Sequence, residues 1–148
     1  MCLHGGIPLI KKNESEFEVP QLMTHEFNNR KVLIDDMDPI TQQILWNDPI
    51  LNYMSGVNEK FYENRRGLGY VFGKEVFEEF LAKNNVNIVY RGHQVFLEGF
   101  HQDFDKKFVT IFSASDYAGK KITARYVEFD SEDIFAYKIH IIQELLDL

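Results

Sequence analysis

Residues 66–99 read RGLGYVFGKEVFEEFLAKNNVNIVYRGHQVFLEG, a stretch that packs a helix, a strand and a Gly-His turn into one unit. After Gly73, which serves as an N-cap, Val76, Phe77, Phe80 and Leu81 fall on one helical face. Lys74, Glu75, Glu78, Glu79 and Lys83 fall on the others. Asn84-Asn85 ends this helix, because asparagine tolerates the left-handed conformation of a C-cap. The β-branched, apolar run 86–90 then predicts a strand with at least one face in the core. It runs directly into Arg91-Gly92-His93. A glycine there permits a sharp turn and presents the imidazole at a strand end, where loops on a rigid scaffold carry function.

The whole chain has 148 residues, 45% of them hydrophobic and 14% aromatic, enough for one domain with its own core. A net charge of −7 argues against nonspecific binding to nucleic acid or to an anionic membrane, both of which require a basic face. Cys2 stands alone, so no internal disulfide forms, and a reducing compartment, the cytoplasm, is the expected location. No apolar run reaches the length of a membrane span.

Residues 1–8 read as the last residues of a strand followed by a Gly-Gly turn that holds His4, a second glycine-flanked histidine at a strand end. Residues 11–18 form a charged loop, and 20–27 hold a short irregular helix. Asp38-Pro39 starts a helix with Ile40, Ile44 and Leu45 on one face, and Asp48-Pro49 stops it. Residues 50–66 have loop composition and end on Arg65-Arg66-Gly67, where a glycine-backed arginine suits a phosphate clamp, although taken alone a surface arginine is more often a solvated charge. Beyond His93, strands are predicted at 95–100, 108–113, 123–129 and 134–142, with turns at 102–103, 116–121 and 130–133. The short connections predict an antiparallel meander. Within it, Phe108, Thr110 and Phe112 alternate with Val109, Ile111 and Ser113, so that strand is expected to be covered on both faces.

Five segments in order, CLHGG at 2–6, LWNDP at 45–49, RRGLGYVFG at 65–73, YRGHQVFLEGF at 90–100 and TIFSASDYAG at 110–119, resemble the C-terminal half of the catalytic domain of the phosphoprotein phosphatase family. These are serine/threonine phosphatases within the calcineurin-like metallophosphoesterases. The resemblance implies an α+β fold: part of the family's sandwich, mostly antiparallel sheet with flanking helices, with the N-terminal half absent. It implies that 1–142 is the C-terminal part of a metallophosphatase catalytic domain and 143–148 a tail. His4 and His93 then match the two histidines that bind one of two active-site metals, Mn, Fe or Zn. Arg66 matches the arginine that holds substrate phosphate, Asp48 an aspartate that supports the site's hydrogen bonding, and Tyr117 a tyrosine on the overhanging loop. The implied partners are a phosphoprotein substrate, a regulatory subunit and the missing N-terminal half, with no nucleic acid and no membrane.

The family's three upstream motifs, Gly-Asp-x-His-Gly, Gly-Asp-x-Val-Asp-Arg-Gly and Gly-Asn-His-Glu, do not occur in this sequence. They carry the remaining metal ligands, a second phosphate arginine and the general acid, so the chain alone is expected to be inactive and to be a partial chain. Asp35, Asp36, Asp38, Asp103 and Asp105 read as solvated carboxylates, and His25, His101 and His140 lie outside any motif. Two alternatives stand beside the phosphatase: a nucleotide or general phosphodiesterase on the same scaffold, and a non-catalytic remnant that binds phosphate or a partner through Arg66 and the Tyr117 loop.

Overall fold

A computed structural model describes residues 1–25, 36–51, 60–130, 132–133 and 136–142. The tail 143–148, Asp35 and parts of the predicted segments 20–27, 50–66 and 134–142 lie outside the described residues. The helix α2 spans Lys74–Asn84, with Gly73 as its N-cap and Asn85 as a left-handed C-cap at φ 51°. Its apolar stripe is buried: Val76, Phe77 and Phe80 have no exposure. They pack with Phe72, Val89, Phe104 and Phe108, and Phe77 stacks on Phe104 at 5.0 Å and meets Phe108 edge-on at 5.4 Å. Truncating one such ring to alanine costs roughly 3–5 kcal/mol.

Four strands form the central sheet in the order β1 (Cys2–Leu3), β7 (Val89–Arg91), β9 (Phe108–Ile111), β8 (Phe100–Asp103). β1 pairs parallel to β7, β7 parallel to β9, and β8 antiparallel to β9. The central sheet is mixed, with β1 and β9 flanking β7, and the meander expected beyond His93 is present as two antiparallel pairs, β8 with β9 and Arg125–Phe129 with Tyr137–Ile141, rather than as one continuous sheet. Antiparallel ladders still outnumber parallel ones among the described residues, through the hairpins β2–β3 (Ile10–Lys11, Phe17–Glu18), β10–β11 (Asp116–Tyr117, Lys120–Lys121) and β12–β13 (Arg125–Phe129, Tyr137–Ile141) and the pair β5–β6 (Phe61–Glu63, Tyr70–Phe72). Both faces of β9 are covered, as its alternation predicted. Phe108 joins the α2 cluster, and Val109 joins Ile88 and Tyr90 under Val127 and Tyr137 of the terminal hairpin.

Boundaries shift where local turns override β propensity. Residues 95–99 form no strand, and the predicted turn at 102–103 belongs to β8. The reversal comes at Phe104, Asp105 and Lys106, all left-handed. Helix α1 (Pro39–Trp46) starts as expected, the Asp38 side chain accepting from the backbone N–H of Ile40 and Thr41. Its buried position is Gln43, which accepts from Leu9 N at 2.8 Å and Asn47 Nδ2 at 3.1 Å. Asp48–Pro49 follows as β4, parallel to β6, whose other neighbour is β5.

Candidate active site

The parallel register that sets Cys2 opposite Tyr90 and Leu3 opposite Arg91 carries the two chain segments onward together. Gly92 N then donates to His4 O at 3.1 Å, and the rings of His4 and His93 meet edge to face at 5.1 Å. After His4 the chain passes hard against the end of α1, where Gly5 N donates to Ile44 O at 2.7 Å. A Cβ on Gly5 would overlap the Leu45 carbonyl, and one on Gly6 would come within 2.6 Å of the Asn47 carbonyl oxygen, so both positions require glycine. At the other segment the left-handed residue is His93 itself, φ 68°, and not Gly92 as the sequence suggested.

Arg66 reaches the same place from the loop before β6. Asn64 holds that loop: its side-chain oxygen accepts from Arg66 N at 3.1 Å, its backbone carbonyl accepts from Gly67 N at 3.0 Å, and its Nδ2 donates to Asp48 Oδ2 at 3.1 Å. The Arg66 guanidinium lies 2.7 Å from His93 Nε2 and 3.6 Å from Asp48 Oδ2. Arginine is donor only, so His93 accepts at Nε2, is neutral, and carries its proton on Nδ1, which lies 3.2 Å from His4 Nε2. Burial pushes the His93 imidazole down to about 4; the Asp48 carboxylate opposes this shift, and the positive charge of Arg66 and Arg91 adds to it.

Beneath these groups lies Arg91, its side chain wholly buried and ion-paired to Asp48 Oδ1 at 3.2 Å. Burial lowers its guanidinium from 12.5 to about 10, with Asp48 opposing, so it remains a cation at neutral pH. The sequence offered Arg91 only as part of a turn, and neither it nor Asn64 was singled out. An Asn two residues before the arginine, able to close an Asx-turn, was the available signal for Asn64.

All five nominated residues meet around one open cavity of about 900 Å³ or support it from below. His4, His93, Arg66 and Tyr117 line it together with Leu45, Trp46, Leu51, Phe96 and Phe112, while Asp48 sits behind. Tyr117 stands on the rim, 53% exposed, its ring edge-on to Phe112 at 5.3 Å. Arg65 is exposed and does not line the cavity. Asp103 is fully buried, contrary to its reading as a solvated charge, and lies 3.2 Å from His101 Nε2. Asp38 serves as the α1 cap, with His25 at 3.1 Å.

The family model for calcineurin-like phosphoesterases matches residues 1–96, which hold both histidines, Asp48 and Arg66. The chain belongs to the calcineurin-like phosphoesterases. It is 32% identical over 123 residues to a protein phosphatase 2A catalytic subunit of Dictyostelium discoideum, covering 80% of this chain and 34% of that protein. It is 34% identical over 118 residues to the serine/threonine-protein phosphatase 6 catalytic subunit of Caenorhabditis elegans, covering 79% and 31%. With the serine/threonine-protein phosphatase PP2A-like PPG1 of Saccharomyces cerevisiae it shares 36% over 154 residues, covering 93% and 37%. A solved protein serine/threonine phosphatase from Saccharomyces cerevisiae shares the fold with a TM-score of 0.59 at 24% identity, over 80% of this chain and 33% of that one. This calcineurin-like chain thus spans about a third of the length of the relatives it matches.

The family implies divalent metals, and the donor set of this phosphoesterase chain fits them in part. His4 and His93 are adjacent, and His93 is held neutral, the form that coordinates Mn, Fe or Zn. No group of three or more His, Cys, Asp or Glu suited to a metal occurs among the described residues, so these residues do not build a dinuclear centre by themselves.

Proposed function

We propose that this chain carries the phosphate-binding side, and the two-imidazole part of the metal side, of a protein serine/threonine phosphatase centre that acts on phosphoproteins. The observation that carries this reading is the convergence of Arg66, Asp48 and two adjacent imidazoles on one open pocket from segments up to 89 residues apart.

Each residue has a task that its setting supports. Arg66, 43% exposed at its side chain, offers a planar fork to two phosphate oxygens. Asp48, behind it, orients that fork. His4 and His93 would hold a metal through imidazole nitrogens released from their contacts with Arg66 and with each other, and such an ion would supply activated water and Lewis acidity. Tyr117 lines the pocket at its exposed rim, and Trp46, Phe96 and Phe112 give it an aromatic wall. Two histidines cannot hold two ions, so the chain by itself is proposed to be inactive and to need the complementary half of a catalytic domain; a regulatory subunit would act on that whole. The lone, exposed Cys2 supports a cytoplasmic setting.

The test is to replace the corresponding part of a phosphatase relative with residues 1–130 and to assay a phosphoserine peptide against a nucleotide monoester and diester. Peptide hydrolysis that His4→Ala and His93→Ala abolish is the expected result. Preference for the nucleotide would move the chain to the phosphodiesterase alternative, and a folded, inactive hybrid would favour the binding remnant.

A further inference from the structure

Arg91 has no exposed side-chain surface and does not line the pocket, so it cannot touch a phosphate there. Each nitrogen of its guanidinium nevertheless makes a hydrogen bond. Nε donates to Thr110 Oγ1 at 3.2 Å, one terminal nitrogen to Asp48 Oδ1 at 3.2 Å and the other to Gln94 Oε1, while the plane lies over the Phe108 ring at 5.5 Å. Asp48 in turn stands between two arginines. Its Oδ1 faces the buried Arg91, and its Oδ2 takes Asn64 at 3.1 Å and sees the exposed Arg66 only at 3.6 Å. A buried carboxylate without a partner would draw Arg66 into a close pair and repel an incoming dianion.

We infer that Arg91 is a positioning residue for phosphate binding: by neutralising Asp48 from below, it leaves Arg66 oriented but available to the phosphoryl group. The inference rests on the phosphate reading of Arg66 and acts only through Asp48. It therefore makes a pairwise statement that a merely structural arginine would not obey. Removing the Arg91 charge should weaken phosphate binding, and removing the Asp48 charge as well should recover part of what was lost.

The experiment is an NMR titration of the 148-residue chain with inorganic phosphate at pH 8, read on native-state arginine Nε–H resonances so that any unfolded fraction does not enter the dissociation constant. Arg91→Gln is expected to weaken phosphate binding on the order of tenfold, Arg91→Lys to keep most of it, and Asp48→Asn added to Arg91→Gln to recover only part of the loss, because the carboxylate that orients Arg66 is removed together with its repelling charge. Should Arg91→Gln alone not fold, the double variant, in which both charges are gone, carries the test. A loss in that double variant as large as in Arg66→Ala would overturn the inference. So would wild-type affinity in Arg91→Gln while Arg66→Ala weakens binding, and this outcome leaves the phosphate reading intact. No effect of Arg66→Ala, or no phosphate binding by the wild type, would sink the phosphate reading itself and the inference with it.

Discussion

One ion pair lies beneath the pocket and another beside Tyr117 at its rim, and the two are of different kinds. On the floor, Arg91 and Asp48 have side chains 0% and 6% exposed, tied further by Thr110, Gln94 and Asn64. On the rim, Lys121 and Asp116 pair at 2.6 Å across the β10–β11 hairpin, with side chains 88% and 57% exposed. Water and salt screen the rim pair, whereas the floor pair has no solvent to replace a lost partner. The floor is thus suited to fixing geometry, and the rim to yielding to whatever enters the pocket.

The largest effect expected from this contrast is on the floor. Arg91→Leu leaves the Asp48 carboxylate buried and unpaired, and urea denaturation should show a loss of roughly 3–5 kcal/mol. A loss below about 1 kcal/mol would show that water reaches the floor. A smaller effect follows from His93, whose folded-state value of about 4 lies below its ordinary 6.5. Between those two values the unfolded chain binds more protons than the folded one. Stability without added metal is therefore complete above pH 6.5 and is lost as pH falls toward 4, and His93→Gln should flatten that slope. The smallest effect belongs to the rim: Lys121→Ala should leave the melting temperature unchanged within error, and a clear drop would mean that the hairpin is part of the rigid frame.

Much of this frame was legible in the residues. The α2 stripe, its asparagine C-cap and the Asp38-Pro39 start follow from periodicity and local hydrogen bonding, both of which act within a few residues. The parallel placement of β1 beside β7 was not legible, because two paired residues of an edge strand carry no period and their partner lies about 88 positions away. His93 shows a further limit of local reasoning. Gly92 was the natural turn residue, but its carbonyl-lined surroundings leave an added Cβ at an ordinary 3.9 Å, and the left-handed turn falls on the histidine. The pocket's outer residues, Arg66, Tyr117 and the two histidines, carry motifs that can be seen in sequence. Arg91 and Asn64 act by burial and by hydrogen bonds to distant groups, and no spacing announces that.

The proposed role of Arg66 as a phosphate ligand is open to a direct kinetic test in the hybrid catalytic domain. A fork that binds two oxygens is lost when its planar shape is lost, even if charge remains. Arg66→Lys should therefore lower kcat/KM on a phosphoserine peptide nearly as far as Arg66→Ala, on the order of tenfold to a thousandfold, while the exposed Arg65→Ala stays near wild type. Near wild-type activity in Arg66→Lys, or a larger defect from Arg65→Ala than from Arg66→Ala, would contradict it.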